Sequence, residues 1–138
     1  MANTNADEVI ERLNRINIRC LVEDGLAEAA KKIEAAAVEY CPIDTGQLSL
    51  HITYVVSNLT AVIGTNTEYG PYVEFGTGLY AIDGNGRKTP WIYTDEATGE
   101  KIWTVGQYPQ PFLYPAFAEN KDYVKRAIAK SVKDGIRR

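Results

Sequence analysis

The hydrophobic period of the chain changes sharply at one place, the seven residues Tyr40-Cys-Pro-Ile-Asp-Thr-Gly46. Before them, apolar side chains recur at helical spacing: Val22, Leu26, Ala29, Ala30, Ile33, Ala37 and Tyr40. After them, apolar residues alternate at strand spacing through Leu48, Leu50, Ile52, Tyr54 and Val56. Pro42 cannot continue a helix, and it biases Cys41 toward extended geometry. Asp44 can accept bonds from backbone amides in the turn, and Gly46 can take positive φ. A long helix, a turn built on Pro42, Asp44, Thr45 and Gly46, and a strand therefore follow one another. Taken alone, this is an ordinary helix-to-strand junction.

The rest of the chain extends the pattern. Val9, Ile10, Leu13 and Ile16 form a short apolar repeat whose phase does not continue into the next segment. A separate short helix at 5–14 and a break near Asn14–Asn17 are expected, with the main helix over 18–40. Leu48–Ser57 reads as the best strand, Asn58-Leu59 as a turn, and Thr60–Thr65 as the returning strand. Tyr69–Phe75 is aromatic and contains Pro71, which favours a short helical turn with Tyr69, Tyr72 and Phe75 packing on one side. Residues 77–89 are rich in glycine and polar groups and predict a flexible loop. Trp91–Thr94 and Lys101–Val105 read as a second hairpin. Pro109, Pro111 and Pro115 lead into a last helix, which carries Phe117, Val124, Ile128 and Val132 on one stripe and ends at Gly135. The expected class is α+β: a small antiparallel sheet of about four strands in hairpins, packed with a long N-terminal helix and a C-terminal helix.

At 138 residues the chain is expected to be one domain, large enough to bury a core without disulfide staples. Its net charge of −3 argues against binding polyanions through bulk field. The polar, acidic start lacks the features of a signal peptide, and no apolar run approaches membrane-spanning length. Cys20 and Cys41 lie 21 positions apart on the expected main helix, roughly 30 Å by helical rise, so both are expected as free thiols.

Evidence for catalysis is absent from the sequence. Asp44, Glu74, Asp83, Asp95 and Glu96 show no metal-ligand spacing with a second acid or with His51, the single histidine. The glycines of 76–86 lack the strand and helix that a phosphate-cradling loop needs. His51 falls on a polar strand face with Ser49, Thr53 and Ser57. Glu74, between Val73 and Phe75, is the one acid in an apolar neighbourhood, where burial requires an arginine or a backbone amide as partner. Basic residues crowd the last helix, from Lys121 to Arg138. They suit a solvated face that complements the helix dipole, or a contact with nucleic acid or an acidic partner.

Three motifs occur in a fixed order between two helices: Pro42-x-Asp-Thr-Gly-x-Leu48, then Tyr69-x-x-Tyr-Val-Glu-Phe-Gly-Thr77, then Gln110-Pro-Phe-Leu-x-Pro-Ala116. This order resembles the tail-component family of long-tailed bacteriophages and prophages, the gene-ten-product-like head–tail joining or tail completion proteins, over roughly residues 20–135. The resemblance implies a non-enzymatic virion protein of the neck or tail, assembled in the host cytoplasm. It implies a homo-oligomeric ring, commonly a hexamer, through which DNA passes as genome, while the free protein can be monomeric. The implied partners are further copies, head-closure or connector proteins, and tail-tube or tail-terminator proteins, with no cofactor, metal or membrane. The implied interface residues are Tyr69, Tyr72, Glu74, Phe75, Gly76, Pro111, Phe112 and Leu113. Gln47 departs from the basic residue of many relatives. The alternative reading is a nucleic-acid-binding protein that uses the basic C-terminal helix; a small hydrolase is third.

Overall fold

The structure is a computed structural model and describes residues 4–15, 17–42 and 47–137. Helix α1 runs Thr4–Arg15 and α2 runs Ile18–Tyr40. The expected break falls between them, where the Asn17 side chain accepts a bond from the Cys20 backbone N–H at 3.1 Å and so satisfies one orphan donor of α2. At the far end Cys41 is extended, as the following Pro42 requires.

Two expectations near the period change need correction. Residues Gln47–Leu50 form a short helical turn, α3, and strand β1 begins only at Ile52, ending at Ser57. The alternation through Leu48 and Ile52 has a second solution: residues four apart also share a helical face. Leu48 and Ile52 are both buried, while Leu50 points into solvent. Asp44, Thr45 and Gly46 lie outside the described residues.

Strand β2, Thr60–Thr65, returns antiparallel to β1 with Ile52 opposite Thr65 and Ser57 opposite Thr60. Both turn residues have positive φ, 57° at Asn58 and 61° at Leu59, the geometry that matches strand twist in a two-residue hairpin. That conformation is costly for leucine. The tip is fastened to α2: the Leu59 N–H donates to Glu23, and Arg19 donates to the Asn58 side chain. Helix α4, Gly70–Phe75, confirms the short turn expected there. A single 3-10 turn follows at Gly78–Tyr80. Strands β3, Trp91–Thr94, and β4, Lys101–Thr104, form the second hairpin. The four strands in hairpins are as expected, and the two hairpins are separate two-stranded sheets.

The last helical region is divided. Helix α5 spans Leu113–Glu119, and α6 spans Lys121–Arg137, with the break at Asn120. Phe117 belongs to α5 and is largely exposed, so it does not continue the stripe of Val124, Ile128 and Val132. Gly135 is not a cap. It lies within α6 and packs against the Leu21 side chain.

Helix α2 organises the body. It packs against α6, α5 and both strands of the first hairpin. At Gly25 a Cβ would stand 2.6 Å from the Ile128 Cα, so the absence of a side chain lets α2 and α6 touch through their backbones. Ser131 Oγ donates to the Leu21 carbonyl at 2.6 Å across the same junction. The core gathers Ile33, Ala37, Cys41, Leu48, Ile52, Phe112 and Ala116. Phe112 is its largest fully buried side chain. Cys20 sits at one end of α2 and Cys41 just past the other, and both are free.

Candidate assembly interface

Two of the three sequence motifs meet around one carboxylate. Glu74 is 5% exposed, in the last turn of α4. One oxygen accepts the backbone N–H of Phe112 at 2.7 Å and of Leu113 at 2.9 Å; the other accepts Tyr114 at 2.9 Å. These are the donors that the start of α5 cannot satisfy internally. A carboxylate there completes their hydrogen bonds and complements the positive end of the helix. The Gln110 N–H adds a bond to the Val73 carbonyl at 2.7 Å. Glu74 thus fastens the Tyr-Val-Glu-Phe-Gly segment to the Gln-Pro-Phe-Leu segment. The sequence allowed an arginine or a backbone amide as its partner; the structure supplies three amides. This clamp seats Phe112 in the core and leaves Leu113 half-buried against it, with Pro111 exposed. Glu74 and Phe112 are buried and hold the two segments together, while Leu113 keeps part of its surface open.

Beside the clamp lies an open cleft of about 1420 Å³. Its walls include Pro42 just past α2, Leu48 of α3, Tyr69 at the N-cap of α4, Tyr72 and Phe75 within α4, and Trp91 and Tyr93 of β3. The three α4 aromatics share a side, as the spacing required. They do not pack into the core, however: Tyr72 is 58% and Phe75 55% exposed. Pro71 in the first turn and a single further turn of helix give α4 one inward face, which Gly70, Val73 and Glu74 occupy. Gly76 caps α4 with φ of 79°, a conformation open to glycine, and turns the chain along the cleft.

The segment after Gly76 is tied down at its start. Thr77 and Gln107 exchange backbone bonds, at 2.9 and 3.3 Å, and the Leu79 N–H reaches the Val105 carbonyl at 3.0 Å. Tyr80 and Tyr108 stack with ring centroids 3.9 Å apart. The Arg87 guanidinium lies 5.6 Å above the Trp91 ring at the cleft wall.

Two further apolar surfaces escaped the sequence reading. On the second hairpin Ile92 and Trp103 sit directly opposite each other and are about two-thirds exposed. The signal was present: Trp91-Ile-Tyr and Ile102-Trp103 leave the hairpin no polar face, so one apolar face must stay uncovered. On α1, Val9, Ile10 and Leu13 are all more than half exposed. Neither α1 nor the second hairpin packs extensively on another element.

Among the described residues, no group of histidine, cysteine, aspartate or glutamate is arranged to hold a metal ion. No described helix is long and apolar enough to cross a membrane. His51 is exposed in the turn before β1. The cleft is walled largely by aromatic side chains, and among the described residues that line it no nucleophile is paired with a base. The structure is a small α+β body that presents an aromatic cleft and two apolar projections.

The sequence matches the family model described as "Bacteriophage HK97-gp10, putative tail-component" over residues 7–76, half of the chain. The chain belongs to this phage tail-component family. No curated protein and no solved structure matches it. The matched span takes in most of α1, then α2, α3, the first hairpin and the aromatic helix α4 with Glu74, while the amides that Glu74 accepts lie beyond it.

Proposed function

We propose that this protein is a structural component of the phage neck, a tail completion or head–tail joining protein that forms a ring around the path of the DNA. Its work is done by surfaces rather than by an active site. The observation that carries the reading is the distribution of exposed apolar side chains. In a protein of this family, large hydrophobic residues stay open on α1, on α4 and on both hairpins, while the core of the body is closed around Ile33, Ala37, Ile52 and Phe112. Val55 and Val62 of the first hairpin and Ile92 and Trp103 of the second are exposed cross-strand pairs. Exposed apolar patches rimmed by polar residues mark surfaces that other proteins cover. Further copies, head-closure or connector proteins, and tail-tube or terminator proteins are the partners proposed.

A specific observation keeps a second reading in view. Lys121, Lys125, Arg126, Lys130 and Lys133 of α6 are exposed, an array suited to phosphate contacts. Asp122 and Asp134 interrupt it, and Arg126 and Lys32 are engaged over the Tyr123 ring.

A null allele in the parent phage or prophage tests both. The neck reading expects filled heads and separate tails in electron micrographs of the lysate, with no DNA affinity that falls steeply with salt. Intact particles from the null allele would overturn it. Strong, salt-sensitive binding of the purified protein to duplex DNA would favour the second reading.

A further inference from the structure

We infer that the aromatic cleft takes an extended, basic segment of a partner virion protein, with arginine or lysine side chains seated among its rings and carboxylates. This rests on the reading of the chain as a tail component that other virion proteins cover. At about 1420 Å³ the open cleft exceeds the roughly 300–1,000 Å³ of a small-molecule pocket, so it suits a stretch of chain better than a compact ligand. Trp91, Tyr93 and Asp95 line it from alternate positions of β3 and its continuation, about 7 Å between successive members. Alternate side chains of an extended segment repeat at nearly the same interval.

Charge selects the occupant. The lining holds three carboxylates, Asp83, Asp95 and Glu96, against one cation, Arg87. Lys88 lies outside the lining and donates to the Gly84 carbonyl. Asp83 and Asp95 each commit one oxygen to a turn amide, that of Asn85 and that of Ala97, which leaves the other oxygen open to a ligand. Among the described residues none of the three carboxylates is ion-paired. Acceptors without a cation thus stand beside ring faces that attract cations. The chain itself displays the mode of binding. The Arg87 guanidinium lies 5.6 Å over the Trp91 ring, exposed and held only through its Nε–H to the Thr89 hydroxyl. Arg87 occupies the place of a ligand's cation, and binding displaces it. A nucleic acid or an acidic segment would meet like charge in the same cleft.

The probe is a short fluorescent peptide in which arginine alternates with proline, the proline keeping it extended. A second probe carries glutamate in place of each arginine. Anisotropy with the full chain at low salt should show saturable binding of the arginine peptide and none of the glutamate peptide. Asp83→Asn, Asp95→Asn and Glu96→Gln together keep the turn acceptors and should weaken binding at least about tenfold. Glu8→Gln, Asp24→Asn and Glu28→Gln together remove the same charge from exposed positions of α1 and α2, and should change binding less than about twofold. Tyr72→Ala with Tyr93→Ala, at positions 58% and 47% exposed, should weaken it at least about tenfold. Arg87→Gln removes the resident cation and should tighten binding about two- to fivefold, a gain that misfolding cannot imitate. All four variants should melt within a few degrees of the unaltered protein.

No saturable binding of the arginine peptide, equal binding of the glutamate peptide, an equal loss in the α1 and α2 variant, or weaker binding by Arg87→Gln would each overturn the assignment. Binding of maltohexaose in the peptide's place would overturn it as well. Self-association of the unaltered chain that the cleft variant abolishes would make a second copy the occupant and overturn the partner segment. Each of these results leaves the tail-component reading standing. Intact particles from the null allele would overturn that reading and leave the peptide site standing.

Discussion

The interior of the body and the periphery of this molecule use apolar residues in opposite ways. In the body, α2 meets α6 and the first hairpin through small side chains, with Ala29, Ala30 and Ala37 buried and Gly25 against the Ile128 backbone. Close packing there leaves little tolerance for added or removed volume. In the periphery, the large side chains face outward: Tyr72 and Phe75 at the cleft, Ile92 and Trp103 on the second hairpin, Ile10 and Leu13 on α1. An isolated two-stranded hairpin is marginal in water, so the second hairpin gains most from whatever covers it. Stability therefore resides in the interior of the body, the proposed binding surfaces lie in the periphery, and Glu74 joins the two.

The largest effect should come from charging the body. Ile52→Asp places an unpaired carboxylate in the core and should unfold the protein, at a cost of several kcal/mol. Thr53→Asp, on the exposed face of the same strand, should melt within a few degrees of the unaltered protein. Equal melting temperatures would mean that the register of β1 is wrong.

Next in size is the clamp. Glu74→Leu leaves three backbone N–H groups without their acceptor and should cost about 3–5 kcal/mol in chemical denaturation. Glu74→Gln keeps one acceptor oxygen and should cost less. A near-neutral Glu74→Leu would remove the clamp as the join between body and cleft.

Gly25→Ala adds a single methyl where the two helix backbones touch and should cost about 1–3 kcal/mol. A stabilised Gly25→Ala would show that α2 and α6 stand further apart than described.

The smallest effect is chemical. Burial pushes the Cys41 thiol above its usual range, so it stays protonated at a pH where exposed thiols begin to ionise. Cys20 is exposed. Native labelling at pH 8 should give one fast thiol and one slow thiol. Two equally fast groups would mean that the core end of α2 is open.

Much of the body was legible because local signals agreed with one another. Asn17 and Pro42 bracket a continuous helical period, and α2 runs between them. The first hairpin turn was readable from its position between two apolar runs, even though leucine is a poor residue for positive φ; its clamp to Glu23 and Arg19 was not readable at all. The onset of β1 was missed because Leu48 and Ile52 satisfy both a strand and a helical turn. The outward α4 aromatics were missed because composition reports hydrophobicity, whereas burial depends on what covers a residue. The partner of Glu74 was narrowed to a type and not to a place, since its amides lie 38 to 40 residues away. Family resemblance pointed to Tyr69, Tyr72 and Phe75 as interface residues. It could not separate them from Glu74 and Phe112, which hold the cleft in shape.

The central claim, that the body folds the protein and the periphery does its work, is tested most directly on the second hairpin. Ile92→Asp with Trp103→Asp changes two residues that are already about two-thirds exposed. The purified variant should melt within about 0.5 kcal/mol of the unaltered protein, the range expected for surface changes. Supplied in place of the natural protein during phage growth, it should leave filled heads and separate tails. A full yield of joined particles, or collapse of the fold, would contradict the account.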